Sequence, residues 1–234
     1  MKIFTKSLKI NATVIVLVCL VIATVVFGII FWNSNDPRNM ALFGSLFAGI
    51  IVAIIQFIIA WQDYTQTEKL KELELIKVLY DRDDRTFYED YIRKAKREIK
   101  MMGVTANRFF NDFADDSPNA TSNAKVLLDA LRRNVRVSIL LPESEFVEEN
   151  KKQDVENVKK HVKSILDKYP NYSLEVKHFN HVPTHSIFNV DDKCIVGPVF
   201  PALESKYTPA LYLRNSSPLA DKYLSYFDEE WNKN

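Results

Sequence analysis

Apolar residues run without a charge through two stretches near the N-terminus, residues 10–32 and 41–61, neither of which holds an Asp, Glu, Lys or Arg. At 1.5 Å of helix rise per residue, each is long enough to cross the ~30 Å hydrocarbon core of a bilayer. The first, NATVIVLVCLVIATVVFGIIFW, is too long for a signal-peptide core and lacks a small-residue cleavage site, so it reads as retained. A polar link, NSNDPRN, joins it to ALFGSLFAGIIVAIIQFIIAW. The pattern predicts two membrane helices in a hairpin. It then changes character. QTEKLKELELIKVLYDRDDRTFYEDYIRKAKREI is charged, free of Gly and Pro, and apolar at 70, 73, 76 and 79–80, the spacing of an amphipathic helix. This predicts a stalk continuous with the second span, broken around residues 81–85, with a further helix to about Arg97.

From there strand and helix patterns alternate. EIKMMGVTA reads as a strand, NAKVLLDALRRN as a helix, and VRVSILLP as a buried strand closed by Pro142. ESEFVEENKKQDVENVKKHVKSILDKYP carries a helical stripe at Val155, Val158, Val162, Ile165 and Leu166. The strand-like runs YSLEVKHF, HSIFNV, KCIVGPVF and ALYLRN follow. SPLADKYLSYFDEEW closes the chain as a helix capped by Ser216 or Ser217, with Pro218 in its first turn. This order predicts an α/β fold, a mixed sheet with helices on its faces. The expected organisation is a transmembrane hairpin at 1–61 with spans of about 10–32 and 41–61, a helical stalk or linker at 62–85, and a cytoplasmic domain at 86–234.

Charge sets the expected orientation. The formal net charge is +1 over 234 residues, so no overall field singles out a polyanionic partner. Lys2, Lys6 and Lys9 precede the first span, whereas the connecting loop carries only Arg38 against Asp36. The positive-inside bias then places both termini in the cytoplasm. Trp32 and Trp61 fall at span ends, the depth that amphipathic rings prefer. Cys19 lies in a span and Cys194 in the soluble part, which suggests no disulfide framework. In the second span Ala41, Ser45, Gly49 and Ala53 recur every four residues, and Gln56 is the only strongly polar side chain. Such a strip of small residues lets backbones approach and favours helix association in lipid. Membrane lipid and a second copy of the chain are the partners this predicts.

The chemistry-bearing stretch is HVPTHSIFNVDDKCIVGP, residues 181–198, which alternates polar and apolar positions and turns at Asp191-Asp192-Lys193. With AKREIKMMGVTA and NAKVLLDALRRNVRVSILLP before it and LADKYLSYFDEEW after it, the chain resembles one half of the phospholipase D superfamily over roughly residues 86–234. That family's signature is His-x-Lys, four further residues, then Asp. Its histidine attacks phosphorus to form a phosphohistidine, and its lysine holds the phosphate oxygens. The resemblance implies His185 in the nucleophile's place and Asp192 in the aspartate's, or Asp191 if the VDDK turn is aligned instead. The lysine's place is taken by Ile187, which cannot stabilise phosphate oxygens. Pro198 stands where a small hydroxyl residue often follows the glycine. Active members also combine two motifs, so a single-motif chain would act as a dimer. HVKSILD, residues 161–167, repeats His-x-Lys on a helix, where no strand-borne site forms. His178 and His181 flank the hairpin, but even with Asp191 they lack metal-ligand spacing, so neither metal nor cofactor is expected.

Arg132, Arg133 and Arg136 with Lys151, Lys152, Lys159 and Lys160 outline a candidate polyanion face. Glu148, Glu149, Asp154 and Glu156 interleave the lysines, the pattern of a solvated helix, so nucleic acid or nucleotide is only a secondary expectation. A short membrane hairpin with a small cytoplasmic domain also resembles bacterial anti-phage membrane effectors, including those encoded with retrons or cyclic-nucleotide systems. That resemblance implies an oligomeric toxin of the inner membrane that answers a protein or nucleoprotein regulator and disrupts the bilayer, with His185 chemically silent. Two alternatives stay open: a membrane-bound phosphodiesterase acting on phospholipid or nucleic acid through His185, and a scaffold that tethers a soluble partner.

Overall fold

The computed structural model describes residues 2–201 and 203–233, with side chains from residue 14 onward except at positions 65, 66, 69 and 70. The lysines at positions 2, 6 and 9, which carry the orientation argument, lie outside the described side chains. The chain divides into two compact units, residues 1–69 and 70–234.

The first unit is a helical hairpin, α1 (Lys2–Asn33) and α2 (Pro37–Glu72). Pro37 opens α2, where its missing N–H is no loss, and the Asp36 carboxylate accepts from the Arg38 N–H at 3.0 Å. Two glycines bring the helices together. The position of a Cβ on Gly28 lies 3.1 Å from the Phe47 ring, and on Gly44 3.0 Å from the Phe31 ring, so each phenylalanine occupies the space of a missing side chain. Phe27 and Phe43 stack between them at 6.1 Å. The rest of the surface is apolar and exposed, with Val14, Ile22, Ile29, Leu42, Ile55 and Ile59 each about half exposed or more. Residues Val14–Asn33 and Pro37–Tyr64 are long and apolar enough to cross a membrane. Thr24 and Ser45 hide their hydroxyls by donating to the carbonyls of Leu20 and Leu42, both at 2.8 Å.

The second unit is an α/β layer. Its elements are β1 (Leu75–Leu79), α3 (Arg85–Arg93), β2 (Glu98–Met102), α4 (Asn107–Phe113), α5 (Val126–Arg132), β3 (Arg136–Pro142), α6 (Lys152–Lys168), β4 (Leu174–Phe179), β5 (His185–Val190), β6 (Lys193–Pro198), β7 (Ala210–Arg214) and α7 (Pro218–Lys233). The seven strands are ordered β1-β7-β6-β5-β2-β3-β4. β2, β3 and β4 run parallel and all other pairs are antiparallel. Period-two alternation divides the core. Ile99, Val137, Ile139, Leu141, Phe188 and Ile195 pack under α3 to α6, while Met102, Leu140, Ile187, Cys194, Val196 and Leu213 pack under α7.

The stalk expected over 62–85 is divided in the structure. Helix α2 runs on to Glu72, Glu74 adopts a left-handed φ of 45°, and Leu75–Leu79 becomes an edge strand paired with β7. LIKVL satisfies both a helical and a strand period over five residues, and the hydrogen-bonding partner that decides lies far away in the chain. The domain therefore begins before residue 86. Helix α4 was not foreseen because NRFFNDF is aromatic and short. Helix α6 starts only at Lys152, after two single 3-10 turns.

Gly197 pairs with Ser186 in the middle of the sheet, and a Cβ there would lie 2.5 Å from the Pro209 carbonyl oxygen and 3.1 Å from the Ala210 Cβ. Gly197→Ala should push β6 from the chain leading into β7 and destabilise the domain by about 1–3 kcal/mol. Thermal unfolding of the full chain, followed by circular dichroism, should show a melting point lowered by several degrees.

Candidate functional site

The β5–β6 hairpin turns at Asp191, whose φ of 53° is one that Asp tolerates better than most residues. Its carboxylate then binds the chain behind it, accepting from the N–H groups of Lys96, Arg97 and Glu98 at 2.8, 2.9 and 3.1 Å. Burial opposes the charge, but those three N–H groups and the nearby Arg97 guanidinium outweigh it, holding the carboxyl below its usual range. The main-chain carbonyls of Asp191 and Asp192 accept from the Asn215 side chain and N–H, each at 2.9 Å. Asp191 thus fastens the turn through its carboxylate, and Asp192 through its main-chain carbonyl.

His185 lies at the opposite end of β5, six residues from Asp191, which is ~20 Å along a strand. The structure does not bring them together. The His185 ring lies under α7, edge-on to Tyr223 at 5.4 Å and tilted on Tyr226 at 4.7 Å, with Nδ1 2.8 Å from Thr184 Oγ1. Burial, with a smaller push from His181, lowers its pKa, so the imidazole is neutral at pH 7. Ile187, on the same face, is 1% exposed among Met102, Cys194 and Val196. Strand β5 pairs with both neighbours without a bulge. Counting the His-x-Lys-x4-Asp spacing back from Asp192 gives Ile187 and His185; counting from Asp191 gives Ser186 and Thr184. Neither register carries a lysine.

The other histidines serve separate places. His181 Nε2 meets Glu230 Oε2 at 3.2 Å and Tyr226 Oη at 3.3 Å, and Glu230 is held ionised by Lys233 at 2.7 Å. His178 faces α6, its Nε2 buried and unpartnered among the described residues and its pKa lowered by burial. His161, on α6, places Nε2 3.1 Å from the Ala114 carbonyl. His178, His181 and Asp191 do not converge on a metal position. Arg132 pairs with Asp129, while Lys151, Lys152 and Lys159 pair with Glu148, Glu149 and Glu156.

On the sheet face opposite His185 lies a cavity of about 520 Å³, between the ends of β2 and β5 and the segment joining β6 to β7. Its floor is aromatic. Tyr88, Phe109 and Phe188 line it, and with Phe87, Tyr91 and Tyr212 behind them their ring centroids lie 5.3–6.0 Å apart, mostly edge to face. Arg82, from the turn after β1, reaches its wall and donates to Ser186 Oγ, Thr208 Oγ1 and the carbonyl oxygens of Ser205 and Pro198. Sequence reasoning passed over these residues. DRDDR reads as a solvated break, and the acceptors of Arg82 lie more than a hundred positions further on.

No protein-family model matches the chain, and no curated protein sequence does. Among solved structures it is similar to TrmBL2, an archaeal chromatin protein (15% identity, 82% of this chain and 69% of the other, TM-score 0.43). It is also similar to Nuc, a phospholipase D family member from Salmonella typhimurium (19% identity, 67% and 93%, TM-score 0.40). A third is a phosphatidylserine synthase from Haemophilus influenzae Rd KW20 (11% identity, 67% and 37%, TM-score 0.39). These likenesses are loose, each with a TM-score below 0.5.

Asp191→Asn keeps one acceptor and the left-handed backbone but removes the charge, and should lower stability by about 1–2 kcal/mol. Because the folded-state pKa lies below the ordinary 3.8, this stabilisation is present above that value and disappears as pH falls through the folded pKa. Melting points of the two proteins should therefore differ at pH 7 and converge in acid. A difference independent of pH would mean that the charge contributes nothing.

Proposed function

We propose that this chain is a membrane-anchored effector whose α/β domain is phospholipase D-like but does not hydrolyse phosphodiesters, and senses a trigger instead. One observation carries this reading: the position two residues after His185 is Ile187, 1% exposed inside the apolar layer under α7. Phosphoryl transfer needs cationic groups on the phosphate oxygens. A lysine there would have to bury its charge among Met102, Cys194 and Val196. The alternative register, through Ser186, supplies a hydroxyl and no cation of its own. The packing of the His185 ring on two tyrosines also suits a structural imidazole.

In this reading the domain faces the cytoplasm of a bacterium and the hairpin lies in the inner membrane, where copies assemble and disrupt the bilayer during anti-phage defence. The regulator is a protein, a nucleoprotein or a small ligand. The test uses purified full-length protein in detergent micelles with phosphatidylcholine, single-stranded DNA and bis(p-nitrophenyl) phosphate. No turnover of any substrate is expected, and His185→Ala should keep the wild-type effect on the membrane potential of cells that express it. Hydrolysis that vanishes in a well-folded His185→Ala protein would establish a phosphodiesterase instead.

Assembly is proposed through the strip of Ala41, Ser45, Gly49 and Ala53. A Cβ on Gly49 meets nothing within 4 Å, unlike one on Gly28 or Gly44. Gly49→Ile therefore leaves the hairpin's own packing intact while keeping a second helix at a distance. Crosslinking in membranes should show oligomers in wild-type and Phe57→Leu proteins and their loss, with loss of toxicity, in Gly49→Ile. Unchanged oligomers and toxicity would reduce the hairpin to a tether.

A further inference from the structure

The cavity on the far side of β5 contains a charge that the protein does not neutralise. The half-buried Arg82 guanidinium donates from Nε to the Ser205 carbonyl at 2.9 Å, from Nη1 to Ser186 Oγ, and from Nη2 to Thr208 Oγ1 and the Pro198 carbonyl at 3.4 Å. All four acceptors are neutral, and among the described residues no carboxylate pairs with it. The other cations on the wall differ. Arg85 lies 3.7 Å from Asp112, Arg108 2.7 Å from Asp83, Lys151 2.8 Å from Glu148 and Lys206 3.0 Å from Glu204.

Withdrawing a lone guanidinium from water is unfavourable unless a counter-charge reaches it. Burial accordingly lowers the Arg82 pKa, with Tyr88 opposing, yet a guanidinium remains protonated at neutral pH. The Tyr88 hydroxyl, pushed up to about 12 chiefly by burial, remains a neutral donor at the same wall. The cavity thus presents one unmatched cation, the hydroxyls of Ser186 and Tyr88, and the rings of Phe109, Phe188 and Phe200. The fully buried Thr208 hydroxyl is already committed, accepting from Arg82 and donating to the Ser205 carbonyl at 2.9 Å. Its volume of about 520 Å³ suits a small molecule. A phosphoryl group carries three oxygens, enough to meet the guanidinium and the hydroxyls together, whereas a carboxylate carries two.

We propose that this cavity binds a small phosphorylated molecule, with its phosphate on Arg82 and an apolar or planar body against the phenylalanines. This deepens the sensing role proposed above, and the two fail separately. Phosphodiester hydrolysis would remove the silence of the domain and leave the site standing.

The experiment is isothermal titration of the full chain in detergent micelles with AMP, glycerol 3-phosphate and inorganic phosphate, and with adenosine as the uncharged control. AMP should bind saturably and adenosine about tenfold more weakly or worse. Tighter binding of glycerol 3-phosphate than of AMP would identify the source as a lipid headgroup, and the reverse a nucleotide. Arg82→Gln should weaken binding of every phosphorylated probe by about tenfold or more with unchanged circular dichroism. Arg82 also anchors the segment before β7, since its N–H donates to the Lys206 carbonyl at 2.7 Å. Phe200→Ala, at a position 40% exposed, is the second variant. It should weaken AMP and leave inorganic phosphate unchanged. The proposal is overturned if no phosphorylated probe binds saturably at millimolar concentration, if adenosine binds as tightly as AMP, or if a folded Arg82→Gln protein binds as wild type does.

Discussion

The bond set of Asp191 governs the hairpin and, through it, both faces of the sheet. Three backbone donors from the start of β2 converge on one carboxylate, which locks β5 to β2 at a single register. In a strand, parity is everything: a shift of one residue exchanges the two faces. With Asp191 fixed and β5 free of bulges, His185, Ile187 and Asn189 must face α7, while Ser186 and Phe188 must face the cavity. The separation of the histidine from the arginine-lined space follows from that one turn.

This parity is also why the candidate site was only half legible in the sequence. HSIFNVDDK announces a hairpin, and its aspartates announce a turn, both by local pattern. Whether a carboxylate six or seven residues from a histidine is a catalytic partner or a fastener depends on what the turn meets. It meets residues 96–98, nearly a hundred positions upstream. Arg82 was illegible for the same reason in stronger form. Its fellow charges in DRDDR are exposed, and it was buried only when the chain before β7 closed over it. The two long apolar helices, by contrast, were readable because uninterrupted apolar length is a property of local composition and needs no distant partner. Strand β1 fell between these cases: five apolar-rich residues satisfied two periods, and pairing with β7 decided.

The hairpin uses its small residues in two different ways, and the difference bears on assembly. Gly28 and Gly44 each receive a phenylalanine of the other helix, so their lack of a side chain is consumed within one chain. Gly49 receives nothing, and Ala41 and Ser45 are exposed beside it. A membrane helix gains little by exposing small residues to lipid, since larger apolar side chains fill that space equally well. The glycines of α2 therefore differ: Gly44 is packed by α1, whereas Gly49 is open, which is why the proposed assembly is tested there.

The two faces of the sheet show a similar division of labour. Under α7, His181 meets Glu230 and Tyr226 and His185 meets Thr184, whereas the buried Asn189 Oδ1 has no partner among the described residues. Beneath the other helices a cation remains surrounded by neutral oxygens at the edge of an aromatic cavity. A half-buried guanidinium held only by neutral oxygens bears a desolvation cost that no described carboxylate offsets. An anion arriving from outside would offset that cost, which is the physical basis of the site proposed on Arg82.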